Sequence, residues 1–239
     1  MKKSILFLSI FITNLSLYSQ NLNSFFEKSD MFFGIYVRNN KVDYELLMKN
    51  DSKLDELLKM GQSIDLNNES NSVIKAFWIN AYNLTVIKTI VSKYPVKSPL
   101  DISGFFDKIT HNLADKKLTL NDIENKMLRT KYRDARFHFV LVCGANGCPP
   151  IINKAYLPNT LEEQLNKQTR LAVNNSNFIK VNNKTKKIQL SQIFDWYKED
   201  FVSKESQEID FLNKYRNEKI EENYKISYYT YDWNLNKAK

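Results

Sequence analysis

The period of the apolar positions changes several times along the chain, and each change marks an expected element. Residues 33–44, FGIYVRNNKVDY, set apolar and aromatic side chains on both sides of Asn39-Asn40. Asn tolerates the positive φ of a tight turn, so this stretch predicts a β-hairpin. From 43 to 60, Leu46, Leu47, Leu54, Leu57 and Leu58 recur at helical spacing, with Gly61 as the expected stop. Residues 70–94 predict a stronger helix, ended by Pro95. Phe77, Trp78, Ala81, Leu84, Ile87, Ile90 and Val91 leave little of its circumference polar, which marks a core helix. Asn80 and Asn83 lie three apart on it and share a face. A buried amide without partners is costly, so these two must bond loop backbone or a polar site.

Residues 98–112 read as a loop weighted by Phe105 and Phe106, and 117–120 as a short strand. A helix over 121–130 follows, capped by Asn121 or Thr119, with Asp122 and Glu124 in its first turn. Phe137 to Val142 are aromatic, β-branched or apolar throughout and predict a strand. That strand runs into a turn at Gly144 and Asn146-Gly147. Beyond it come a helix at 160–174, a hairpin at 178–190, an aromatic-rich helix at 191–201, a helix at 206–216 and a last strand at 225–232. Helices and strands alternate irregularly. The expected class is α+β: a single domain over 21–239 with a small antiparallel sheet and hairpins, not a doubly wound parallel sheet.

The first twenty residues stand apart from this pattern. Met1-Lys2-Lys3 is basic, ILFLSIFI (5–12) is apolar but too short to span a bilayer, and a cut falls near Ser19 or Gln20. This is the pattern of a secretory signal peptide over 1–20, so the mature chain is expected to be periplasmic or secreted. No later stretch has the length of a transmembrane helix. Removing Lys2 and Lys3 leaves 33 basic against 27 acidic side chains, a net +6. The basic residues are dispersed. No Lys/Arg stripe interleaves with aromatics, and export makes nucleic acid an unexpected partner.

Chemistry-bearing residues gather at DARFHFVLVCGANGCPP (134–150). This stretch holds both cysteines of the chain, Cys143 and Cys148, and His138, one of its two histidines. Strand alternation would put His138 on the opposite face from Cys143, leaving it either a core histidine or a base serving its own face. Pro149 biases Cys148 toward the extended angles of an N-cap. A thiol there would sit near free N–H groups and a helix dipole, which lowers its pKa and suits a nucleophile. A structural thiol, or a disulfide with Cys143, remains equally open in an exported chain. Two Cys and two His are too few, and badly spaced, for structural zinc, and no cofactor is expected.

That stretch, with FWINAYN (77–83), LTLNDIENKMLR (118–129), IFDWYKEDF (193–201) and YDWNLN (231–236), resembles the domain-of-unknown-function family 547. The resemblance implies a papain- or transglutaminase-like arrangement and a thiol-dependent hydrolase or transferase acting on amide, peptide or ester bonds. It places the family's cysteine pair on Cys143 and Cys148, its strand histidine on His138 and its helical amides on Asn80 and Asn83. Members read Ile-Glu-His where this chain reads Ile123-Glu124-Asn125, so Asn125 stands where the family has a histidine. An amide cannot take a proton near neutral pH, which would make the enzyme degenerate unless His138 or His111 serves as base. The expected catalytic set is therefore Cys148, Cys143, His138, Asn125 and Glu124, with Asn80, Asn83 and Trp78 as binding residues. The alternative is a non-catalytic binding or scaffold module that holds a peptide or envelope polymer in the same cleft. A redox role for the C-x4-C pair ranks third.

Overall fold

The structure, a computed structural model, describes residues 21–204 and 207–238. The expected signal peptide lies outside them. The chain forms an α+β fold built on one long helix. A helix over 21–36, α1, buries Phe25, Phe26, Phe32 and Phe33. It takes up the first residues of the expected hairpin. The hairpin itself is β1 (Val37–Arg38) with β2 (Lys41–Val42), and Asn39 and Asn40 turn between them at φ 50° and 60°. The helix expected over 43–60 is two: α2 (Tyr44–Lys49) and α3 (Ser52–Gln62). The break falls where Asn50 Oδ1 accepts the Ser52 N–H at 3.0 Å, a local bond that competes with helix continuation. Asp51 at the break pairs with Lys88 Nζ at 2.6 Å. Gly61 does not stop α3. A Cβ there would lie 3.3 Å from Leu113 and 3.4 Å from Phe25, so the glycine serves close packing.

The central helix α4 (Asn71–Val91) is capped by the Ser70 hydroxyl and buries fifteen residues, from Ala76 to Val91. It packs against α2, α3 and the helix over 120–132. The latter opens as α5 (Leu120–Asp122) behind a reciprocal capping box of Thr119 and Asp122. Its middle, Ile123–Arg129, is wound as π-helix, and α6 (Thr130–Tyr132) closes it. The second hairpin, β3 (His111–Leu113) with β4 (Lys116–Leu118), precedes it.

The expected strand over 137–142 is not formed. Residues Ala135–Phe139 make a 3-10 turn, and 140–143 belong to no strand among the described residues. A run of β-formers becomes a strand only where a partner supplies hydrogen bonds, and here a side chain supplies them. Asn83 Nδ2 donates to the Val140 carbonyl and Asn83 Oδ1 accepts the Val142 N–H, both at 2.9 Å. Asn80 does the same for Tyr156, at 2.7 and 2.9 Å.

Helix α7 (Leu161–Val173) leads to β5 (Lys180–Asn182) and β6 (Lys187–Ser191), an antiparallel pair. The expected helix over 191–201 is split into α8 (Ile193–Trp196) and α9 (Lys198–Phe201), followed by α10 (Glu208–Tyr215). Strand β7 (Lys225–Tyr229) then joins β6 in parallel, so one pairing of the three-stranded sheet departs from the antiparallel expectation. The last segment returns to the cysteine turn. Asn146 N–H bonds the Asn234 carbonyl at 2.7 Å, Gly147 N–H that of Asp232 at 2.8 Å, and Asn236 N–H that of Gly144 at 2.9 Å.

Several carboxyls are held below their ordinary range by this framework. The Lys88 bond lowers Asp51, the Lys75 bond lowers Glu162, and Lys126 with the Thr119 N–H holds Asp122 down to about 2. The folded chain therefore binds fewer protons than the unfolded one, whose carboxyls titrate near about 4. This contribution is complete above about pH 4 and falls away toward pH 2. Melting temperatures should decline steadily between those values, and a flat profile would contradict these pairings.

Candidate functional site

A cavity of about 330 Å³ opens where the helix over 120–132, the cysteine turn, α8 and the C-terminal segment meet. Its polar groups are Glu124, His138 and Asn121, with the hydroxyls of Tyr82, Tyr197 and Tyr231. Phe106, Trp196 and Trp233 complete an aromatic wall, and Cys143 and Cys148 form part of the rim.

The two cysteines are joined in a disulfide, with Cα atoms 6.3 Å apart. No helix follows Pro149, so Cys148 is not an N-cap and no helix dipole acts on its sulfur. Side chains hold the backbone of 155–157 a few residues on: Asp30 takes the Ala155 N–H, Asn80 the Tyr156 N–H and Gln164 the Leu157 N–H, at 2.8 to 2.9 Å. The Tyr231 hydroxyl lies 3.2 Å from the Cys143 sulfur and donates to that of Cys148 at 3.1 Å. It can do so because Gly147 carries no side chain. A Cβ there would stand 2.9 Å from the Tyr231 ring. Burial raises the Tyr231 pKa, keeping the phenol protonated as a donor.

His138 comes from the 3-10 turn and reaches the cavity after all. Its Nε2 lies 2.6 Å from Asp200 Oδ2, and its ring lies against Tyr197 with centroids 4.3 Å apart. Arg129 Nε donates to the same Asp200 oxygen at 2.6 Å. Burial works to raise Asp200, but the bonds from His138 and Arg129 outweigh it and hold the carboxyl below its usual range. Arg129 also engages Glu199 at 2.9 Å and lies over the Tyr197 ring at 4.4 Å.

Glu124 is 8% exposed and projects from the π-helix into the cavity. It sits beside Tyr82 and Tyr197. Burial, and then the charge of Glu124, push both phenols up, so both remain donors toward the carboxylate. A π-turn in an otherwise α-helical segment is frequent at functional sites.

The other expected site residues lie elsewhere. Asn125 turns away from the cavity. Its amide donates to the Asn121 carbonyl at 2.9 Å and its oxygen is taken by Arg129. Asn80 and Asn83 are buried under the loops they pin and do not line the cavity. Trp78 is a core residue packed edge-on against Phe77. His111 lines a separate cleft with Lys88 and Lys93, and burial lowers its pKa. The residues that sequence reasoning missed are Tyr82, Asp200, Tyr197, Trp196, Tyr231 and Trp233. Five of these six lie in IFDWYKEDF and YDWNLN, whose density of aromatic and acidic residues was the available signal.

Fold and cavity together define an α+β domain whose disulfide-bonded turn closes one side of an aromatic cleft. Residues 66–171 match the model of the family described as "Protein of unknown function, DUF547". The matched region carries Glu124, His138 and both cysteines, while Asp200 and the tryptophan wall lie beyond it. No curated protein and no solved structure matches the chain.

Proposed function

We propose that the cavity is a ligand-binding cleft of an exported, periplasmic or secreted protein, and that the disulfide-bonded form does not use a cysteine nucleophile. The carrying observation is the Cys143–Cys148 disulfide, with the Tyr231 hydroxyl against both sulfurs on the rim of an aromatic cavity. A thiolate is required for attack, and neither sulfur can provide one while bonded to the other. The disulfide also supports an oxidising compartment. Among the described residues no helix is long and apolar enough to cross a membrane.

A second reading is favoured by the His138–Asp200 pair on the same cavity. If an external thiol reduces the disulfide, Cys148 becomes a thiol on the same cavity as an imidazole oriented by a carboxylate. That is the arrangement of a thiol hydrolase or transferase acting on amide, peptide or ester bonds. The papain- or transglutaminase-like arrangement belongs to this reading. Its support is the long apolar helix under the cysteine turn, and against it Cys148 heads no helix.

Thiol labelling separates the two. The purified mature protein should resist a thiol-reactive probe from pH 5 to 9 and label at both cysteines only after reduction. Labelling of Cys148 without reductant, abolished in Cys148→Ala and kept in Cys143→Ala, would overturn the binding reading in favour of the enzyme.

A further inference from the structure

The cavity carries an uncommon charge arrangement. Its lining includes one carboxylate, Glu124, and no Lys or Arg among the described residues. A carboxylate this deeply buried ordinarily has a cationic partner, because removing it from water is expensive. The half-buried acids nearby follow that rule: Asp200 has Arg129 and His138, and Asp134 has Arg136. Glu124 forms no ion pair among the described residues. Arg129 is near enough for the Glu124 charge to help raise its pKa, but its ion pairs are with Asp200 and Glu199, and that of His138 is with Asp200. Its neighbours are the phenols of Tyr82 and Tyr197, which can share hydrogens with the carboxylate without neutralising it.

Around this charge stand faces that favour a cation. Tyr231 packs against Trp196 at 5.0 Å and Trp233 at 4.8 Å, and the two tryptophans stack at 5.9 Å. Trp196 is 44% exposed at the mouth. An aromatic face attracts ammonium groups through its quadrupole, most strongly for Trp. A carboxylate at the base repels acids and pairs with amines. The cavity lies at the small end of ligand pockets, which run to about 300–1,000 Å³.

We infer that this cleft recognises an organic cation, a primary or quaternary ammonium on a small apolar or aromatic body. The charged group is drawn to Glu124 and the body lies against Trp196, Tyr231 and Trp233. The inference rests on the binding-cleft reading and adds the chemical class of its ligand. It also runs against the protein's net positive charge, so the preference is set by the local field of the cavity rather than by long-range steering.

The test titrates the disulfide-intact mature protein with four probes of one shape: benzyltrimethylammonium, benzylamine as its ammonium at pH 7, benzyl alcohol and benzoate. Tryptophan fluorescence and calorimetry report binding. Both cations should bind about tenfold or more tighter than benzyl alcohol, the margin expected for one charge-assisted contact, and benzoate more weakly still. Glu124→Gln, close in size and checked for an unchanged melt, should reduce the cations to the level of the alcohol. Trp196→Ala should weaken cations and alcohol alike. Cations and alcohol binding equally to the wild-type protein, or a cation preference that survives Glu124→Gln, would overturn the inference and leave the cleft reading standing. Failure of all four probes at millimolar concentration would overturn the cleft reading and the inference with it.

Discussion

Asn83→Ala is expected to lower the melting temperature by roughly 10 °C. Its amide is 2% exposed and makes two bonds to the cysteine segment, with the Val140 carbonyl and the Val142 N–H. Val140 and Val142 are themselves buried, so truncation leaves a donor and an acceptor with neither partner nor water. Each such group costs about 1–3 kcal/mol, or roughly 3–5 kcal/mol together. In a domain of this size that corresponds to about 2–4 °C per kcal/mol. Thr85→Val is the control on the same helix. The Thr85 hydroxyl is buried without a partner among the described residues, so an isosteric methyl should be neutral or stabilising. Limited proteolysis of Asn83→Ala should cut first between 140 and 143, because beyond Cys143 the disulfide and the bonds to the 232–236 segment still hold the turn. A melt within 2 °C of wild type would show that the loop is held by packing alone.

The same residue marks the limit of what could be read from the sequence. The all-round apolar face of α4 was visible, and so was the need of its two asparagines for backbone partners. The turn at Asn39-Asn40 and the β5–β6 hairpin were visible for similar reasons: each is specified within a few residues. The strand over 137–142 was misread because its composition matches a strand, and whether a neighbour lies alongside is decided by tertiary structure. The division of α2 from α3 depends on one Asn side chain competing with the helix, which periodicity does not register. At the site, closeness in sequence revealed Cys143, Cys148 and His138. The partners that define their roles, Tyr231 for the sulfurs and Asp200 for His138, lie 83 and 62 positions further along the chain. Asn125 drew attention through the family resemblance, yet its neighbour Glu124 is the residue that the π-turn presents to the cavity.

Phe139→Ala is expected to cost about 3–5 kcal/mol, the range for truncating a fully buried aromatic. Phe139 is 0% exposed and stacks on Phe211 at 6.0 Å, within a cluster that includes Phe178, Phe194 and Phe201. Its neighbour His138 reaches Asp200 and the cavity, with its ring also 5.2 Å from Phe201 of the same cluster. The 3-10 turn thus sends adjacent side chains to the aromatic core and to the candidate site, with Phe201 in contact with both. Phe201 stays in place when Phe139 is truncated, so the His138 side is expected to hold its geometry. At 15 °C, where the variant remains folded, Phe139→Ala should bind the ammonium probes with wild-type affinity while its denaturant midpoint falls sharply. Glu124→Gln should show the reverse, an unchanged midpoint with the cation preference gone. Loss of binding in folded Phe139→Ala would show that the turn transmits core packing into the cavity, and that His138 and Glu124 are set by the aromatic cluster behind them.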